Sequence, residues 1–237
     1  MKFAPVLSFV FAWSPIAGAG VVIQSADNAT PLLELFTSEG CSSCPPAEEW
    51  FGRLKGRAGL WKEFVPIAFH VDYWDHLGWR DPFAQRAFTS RQQAYAAEWR
   101  SRSIYTPGFA WQGMEWSDWR RGFPTSAVAK GGRLRADWDG RRLSVTFDCK
   151  GTWDVHASIL GCDIVVPVKA GENAGRTLSH DFVALNYKEI SVSNFPAVLE
   201  LAPPTVNPAK RLALAVWISL RGKPAAVQAA GGWLPSR

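Results

Sequence analysis

Between Pro31 and Thr37 the chain is apolar on both alternating sets of positions except at Glu34. Unbroken apolar character over this length predicts a central strand covered on both faces. A Ser-Glu-Gly turn signal follows, then Cys41-Ser42-Ser43-Cys44 and the pair Pro45-Pro46. Beyond the prolines, Ala47, Trp50, Phe51, Leu54 and Ala58 recur at the spacing of one helix face. Pro45 disfavours helical geometry at Cys44, so the regular helix is expected to begin at Pro45 or Pro46. A second apolar run, Glu63 to Asp72, predicts another buried strand, and the strand–helix–strand order reads as a βαβ unit.

Pro82 to Arg102 reads as a helix with Phe83, Ala87, Ala94, Tyr95 and Trp99 spaced for burial. Met114 to Lys130 is expected to contain a short helix, and Gly131-Gly132 marks a boundary. The texture then changes. Residues 134–138, 143–149, 155–168 and 212–220 are strand-like, with Asp139-Gly140 and Gly151-Thr152 as turn signals. This predicts an antiparallel β-rich lobe over 132–237, packed on an α/β unit over 21–131, with residues 225–237 loose. Gly171 to His180 reads as a turn that returns the chain to the first lobe, since two glycines without a lysine make no phosphate loop.

Composition adds a compartment. Residues 1–20 combine Lys2, an apolar Phe3–Trp13 stretch and the small residues Ala17-Gly18-Ala19, the pattern of an export signal cleaved near Gly20. An exported protein, periplasmic or secreted, is expected, in surroundings where disulfides persist. The apolar stretch is short for a membrane span, and no later segment reaches that length without charges. With the leader removed, no integral membrane segment is expected. The net charge of +5 is spread among interleaved acidic and basic residues, which points to a solvated basic surface and not to nucleic-acid binding. Four cysteines are too few to scaffold a chain of 237 residues, so their roles are local.

Two thiols three residues apart, between a strand and a helix, are the setting of thiol–disulfide exchange. The helix start favours a thiolate, which makes Cys41, read as the outer and exposed residue, the attacking sulfur and Cys44 the resolving one. The alternative is a non-enzymatic protein in which the pair is a structural disulfide or handles copper or zinc, with Cys41, Cys44 and His70 or His76 as ligands. The loop after the second strand holds Asp72, Trp74, Asp75, His76 and Trp79 and is expected beside Cys41, because ligands bind at the carboxyl ends of strands. Asp72 and Asp75 would raise the pKa of Cys41 if close; otherwise they serve caps and turns. Cys149 and Cys162 fall on neighbouring predicted strands, where a mutual disulfide needs an offset.

The run Glu34-Leu35-Phe36-Thr37-Ser38-Glu39-Gly40-Cys41-Ser42-Ser43-Cys44-Pro45-Pro46-Ala47, with Asp72-Tyr73-Trp74-Asp75 and Gly78-Trp79, resembles the DUF1223 family of exported thioredoxin-like proteins. The segment 171–180 resembles the same family. The resemblance implies an α/β fold with a thioredoxin-like mixed sheet flanked by helices, carrying the β-rich lobe. It implies a cis Thr106-Pro107 bond opposite the cysteines that pairs with an extended substrate, and a hairpin turn at Gln112-Gly113. Glu34 then stands one residue out of register with the buried proton-accepting acid of thioredoxins; it is either that acceptor or a solvated edge residue. The expected partners are protein or small-molecule thiols and disulfides and a redox partner protein. No cofactor and no resident metal are called for.

Overall fold

The structure is a computed structural model that describes residues 20–124, 130–205 and 207–235. The expected export signal over residues 1–20 lies, but for Gly20, outside the described residues, as does part of the expected helix between Met114 and Lys130. The described part of that stretch forms a two-residue strand, Met114–Glu115, and a three-residue 3-10 turn, Trp119–Arg121.

Strands β1 (Val21–Gln24) and β2 (Leu32–Thr37) precede helix α1 (Pro45–Gly52), and β3 (Val65–His70) precedes α2 (Arg86–Glu98). Then come β4 (Gly108–Trp111), β5 (Met114–Glu115), β6 (Leu134–Trp138), β7 (Arg142–Phe147), β8 (Trp153–Cys162), β9 (Ile164–Pro167) and β10 (Thr177–His180). The last four are β11 (Val183–Val192), β12 (Ala197–Glu200), β13 (Arg211–Leu220) and β14 (Ala226–Trp233). The chain is a mixed α/β structure, rich in strand, with two α-helices among the described residues.

The main sheet has eight strands in the order β14-β13-β8-β11-β3-β2-β4-β5. Strands β2 and β3 are parallel and in register from Leu32↔Val65 to Thr37↔His70, as the two apolar runs predict. Strand β11 joins β3 on one side and β8 on the other, so the sheet runs unbroken from the N-terminal into the C-terminal half. A second, antiparallel sheet, β1-β6-β7-β12, shares a core with β8, β13 and β14 built on Leu134, Val145, Val155, Ile159, Leu214 and Val216. Burying these apolar faces is the main source of stability, at about 25 cal/mol per Å² removed from water.

Several local expectations change. Residues 226–233 are not loose: they form β14, paired along β13. The predicted strand 155–168 breaks at Asp163, whose φ of 56° turns the chain into β9. Helix α1 is shorter than its apolar face suggests, giving way to a 3-10 turn at Arg53–Gly56 that leaves Ala58 exposed. The buried face of α2 is Phe88, Arg91, Gln92 and Tyr95, while Ala87 and Ala94 face solvent. Polar residues hold that face because Arg91 has a buried acid to meet. The hairpin β4–β5 turns at Gln112 and Gly113, with φ of 48° and 83°, as the family resemblance implies. Cys149 and Cys162 are free, one exposed and one buried, and β7 and β8 belong to different sheets.

Candidate functional site

Strand β2 ends at Thr37, and the turn Ser38-Glu39-Gly40 lifts the chain into Cys41. Gly40 is required there, because a Cβ would lie 2.9 Å from the Cβ of Trp74. Cys41 and Cys44 are joined by a disulfide with a Cα–Cα distance of 5.5 Å. Cys44 adopts helical angles in spite of the prolines that follow it, and its carbonyl accepts the amides of Ala47 and Glu48. The pair therefore sits at the head of α1.

Thr106-Pro107 is a cis peptide, and the Thr106 carbonyl oxygen lies 3.7 Å from Cys41 Sγ. The Ser43 hydroxyl lies 3.3 Å from the same sulfur and 3.4 Å from that oxygen. Trp74 spans from Gly40 to Thr106, donating its indole N–H to the Thr106 hydroxyl at 2.8 Å. Trp79 donates to Glu39 at 2.6 Å. Cys41, Cys44, Thr106, Pro107, Trp74 and Trp79 are thus brought together. Asp72 instead exchanges hydrogen bonds with Thr89, and His76 pairs with the Tyr73 carbonyl on the surface. Asp75 accepts the amide of Asp81.

Both sulfurs are completely buried, so exposure does not single out Cys41 as expected; contact with Thr106 does. A segment 132 residues away contributes to the cover: Asn173 donates to the Cys41 and Glu39 carbonyls, and Glu172 accepts the Ser42 amide. The turn at 171–175 accordingly reaches the cysteine loop itself.

Glu34 is fully buried, not a solvated edge residue. It accepts from Arg91 Nε at 2.5 Å and from the Tyr95 hydroxyl, both on α2. Thr37, three residues on and therefore on the opposite face of β2, donates to Glu48 on α1 at 2.5 Å. The carboxylate on the cysteines' side of the sheet is thus Glu48, not Glu34. The one-residue offset is a change of face.

Glu48 belongs to a buried ionic group that sequence reasoning missed. His180, at the end of β10, donates Nδ1–H to Glu48 at 2.6 Å and Nε2–H to Glu39 at 3.1 Å. Burial opposes the charge on His180, but Glu48 and Glu39 override it and raise its pKa to about 10. Burial likewise opposes Glu48, and His180 holds its carboxyl below the usual range. His70, at the end of β3, meets Asp81 through Nδ1 at 2.7 Å, and Asp81 also accepts the amides of Glu39 and Phe83. No motif announces Glu48 or His180; only the fold joins them.

Fold and site together define a mixed α/β protein with a disulfide-bonded Cys-Ser-Ser-Cys pair at the head of a helix. The chain belongs to the family described as protein of unknown function DUF1223, whose model matches residues 32–219. No curated protein matches it. Among solved structures it is similar to protein AGR_C_4864 from Agrobacterium tumefaciens, with 23% identity, a TM-score of 0.57, and cover of 87% of this chain and 95% of that one. It is also similar to HBP35 of Porphyromonas gingivalis, with 11% identity, a TM-score of 0.55, and cover of 89% and 76%. These are likenesses of fold. No helix among the described residues is long and apolar enough to cross a membrane.

Proposed function

We propose that this chain is an exported, thioredoxin-like thiol–disulfide oxidoreductase that uses Cys41 and Cys44. The observation that carries the reading is the contact between Cys41 Sγ and the Thr106 carbonyl, 3.7 Å apart at the head of α1. In the reduced protein, Cys41 thiolate attacks a substrate disulfide, forming a mixed disulfide and releasing one substrate thiolate. Cys44 thiolate then attacks the Cys41 sulfur, which closes the internal disulfide and releases the second substrate thiolate. The substrate is reduced by two electrons and the protein dithiol is oxidised; the reverse sequence oxidises a dithiol. Thr106 and Pro107 line the approach to Cys41, and Trp74 closes it by its hydrogen bond to Thr106. Export rests on the pattern of residues 1–20.

A second reading, a disulfide that only braces the loop, is favoured by the complete burial of both sulfurs. One experiment separates the two. Reduced Cys44→Ser protein, with the exposed Cys149 also replaced by serine, is mixed with glutathione disulfide, and its intact mass is followed. Exchange predicts a single glutathione adduct on Cys41, absent from Cys41→Ser in the same Cys149→Ser background. An adduct that fails to form, or that forms equally in both variants, sinks the enzyme reading.

A further inference from the structure

We infer that Glu48, His70 and His180 form a binding site for a divalent first-row cation of the zinc class, beneath the cysteine loop and separate from the sulfurs. This goes beyond the exchange reading and does not depend on it. A ring nitrogen of His70, a ring nitrogen of His180 and a carboxylate oxygen of Glu48 all lie within 4.8 Å of one another, and all three residues are buried. Two imidazoles and one carboxylate are a recurrent protein set for zinc, with a further position left for another donor.

The hydrogen bonds around the cluster point the same way. Metal-bound histidines commonly give their second ring nitrogen to a carboxylate or carbonyl, which fixes the ring. His70 gives Nδ1 to Asp81, and His180 is held through Nε2 by Glu39. The other nitrogen of His180 faces Glu48 at 2.6 Å, and a cation bound there displaces the proton between them to solvent. The other nitrogen of His70, Nε2, is buried and has no hydrogen-bond partner, although the ring is almost completely enclosed. An ion-pair network alone accounts for Glu39, His180 and Glu48. It does not account for that nitrogen, since an unsatisfied buried polar atom is costly and rare. A cation between the three residues supplies its partner.

Position adds a reason. His70 pairs in register with Thr37, the last residue of β2, so the cluster lies at the carboxyl ends of two parallel strands, where α/β sheets hold their ligands. Its ligands come from α1, β3 and β10. A bound cation therefore ties the cysteine-bearing helix to strands from both halves of the chain.

The test uses the full chain with its disulfide formed, titrated with zinc chloride against a chromophoric chelator. One zinc ion per chain is expected, bound equally by wild type and the Cys41→Ser/Cys44→Ser variant. His70→Gln should weaken binding at least about 100-fold, and Asp81→Asn about 10- to 100-fold through loss of ring orientation. Circular dichroism reports whether the variants fold. Should His70→Gln not fold, the cobalt spectrum of the wild type decides: visible ligand-field bands without a thiolate-to-metal band, in oxidised and reduced protein alike. No zinc uptake by wild type, binding unchanged in folded His70→Gln, or a thiolate band on cobalt would each overturn the assignment. Since none of these readouts requires exchange activity, the failure of one idea leaves the other standing.

Discussion

Glu34 and Glu48 are both buried carboxylates against β2, one on each face of the strand, and they have opposite kinds of surroundings. Glu34 is matched on its own face: Arg91 and Tyr95 meet it, and Arg91 donates from Nη2 to the Pro224 carbonyl at 2.8 Å. Burial opposes the arginine charge, yet Glu34 raises its pKa further above the ordinary value. Glu48 instead joins a group that ends on an unpartnered imidazole nitrogen and lies under a disulfide. Burial of charge is common to both sides. A closed pair reads as a packing device, and an incomplete group reads as a site.

The largest effect is expected where the pair is closed. Arg91→Leu leaves Glu34 buried without its counter-charge and should lower the unfolding free energy in urea by about 3–5 kcal/mol. Replacing both residues by leucine should recover most of that loss. A cost near zero for the single variant would show that Glu34 is not held as described. Glu48→Gln should cost less, about 1–3 kcal/mol, because His180 keeps Glu39 as a partner. A larger loss than that of Arg91→Leu would reverse the contrast between the two faces.

The smallest effect concerns a third, half-exposed group. Glu189 is held at a pKa of about 2 by hydrogen bonding with the His156 ring and, after that, from Tyr187. A depressed folded pKa contributes stability that is present above the unfolded value near 4.5 and is lost as pH falls through about 2. Glu189→Gln should therefore flatten the stability curve between those values and lower stability in the neutral region, with little change below about pH 2. An unaltered acid limb would rule out the assignment.

Much of the N-terminal half was legible because its signals are local. Apolar runs gave β2 and β3, and two prolines after Cys44 marked the head of α1; the hairpin turn at Gln112-Gly113 came from the family resemblance. The disulfide spacing, and the nearness of Trp74 and Trp79 to it, followed from the rule that strand ends carry sites. What escaped was everything made by distant pairing. Strand β14 lies in a small-residue stretch, Ala226 to Gly232, whose weak pattern is overridden by ten-residue β13 beside it. Glu48 looks like any helix acid, and His180 lies 132 residues from it. Glu34 was misjudged between acceptor and edge because parity alone decides its face, and neither account anticipated an arginine inside α2.

The contribution of residues 172–180 to the cysteine neighbourhood sets an order of events during synthesis. Cys41 and Cys44 leave the ribosome well before Asn173 and His180 exist, since 132 residues separate Cys41 from Asn173. Throughout that interval the thiols emerge without the cover they have in the finished molecule, open to whatever oxidant or reductant the compartment offers. The cysteine pair is therefore open to reaction before its own fold can shield it.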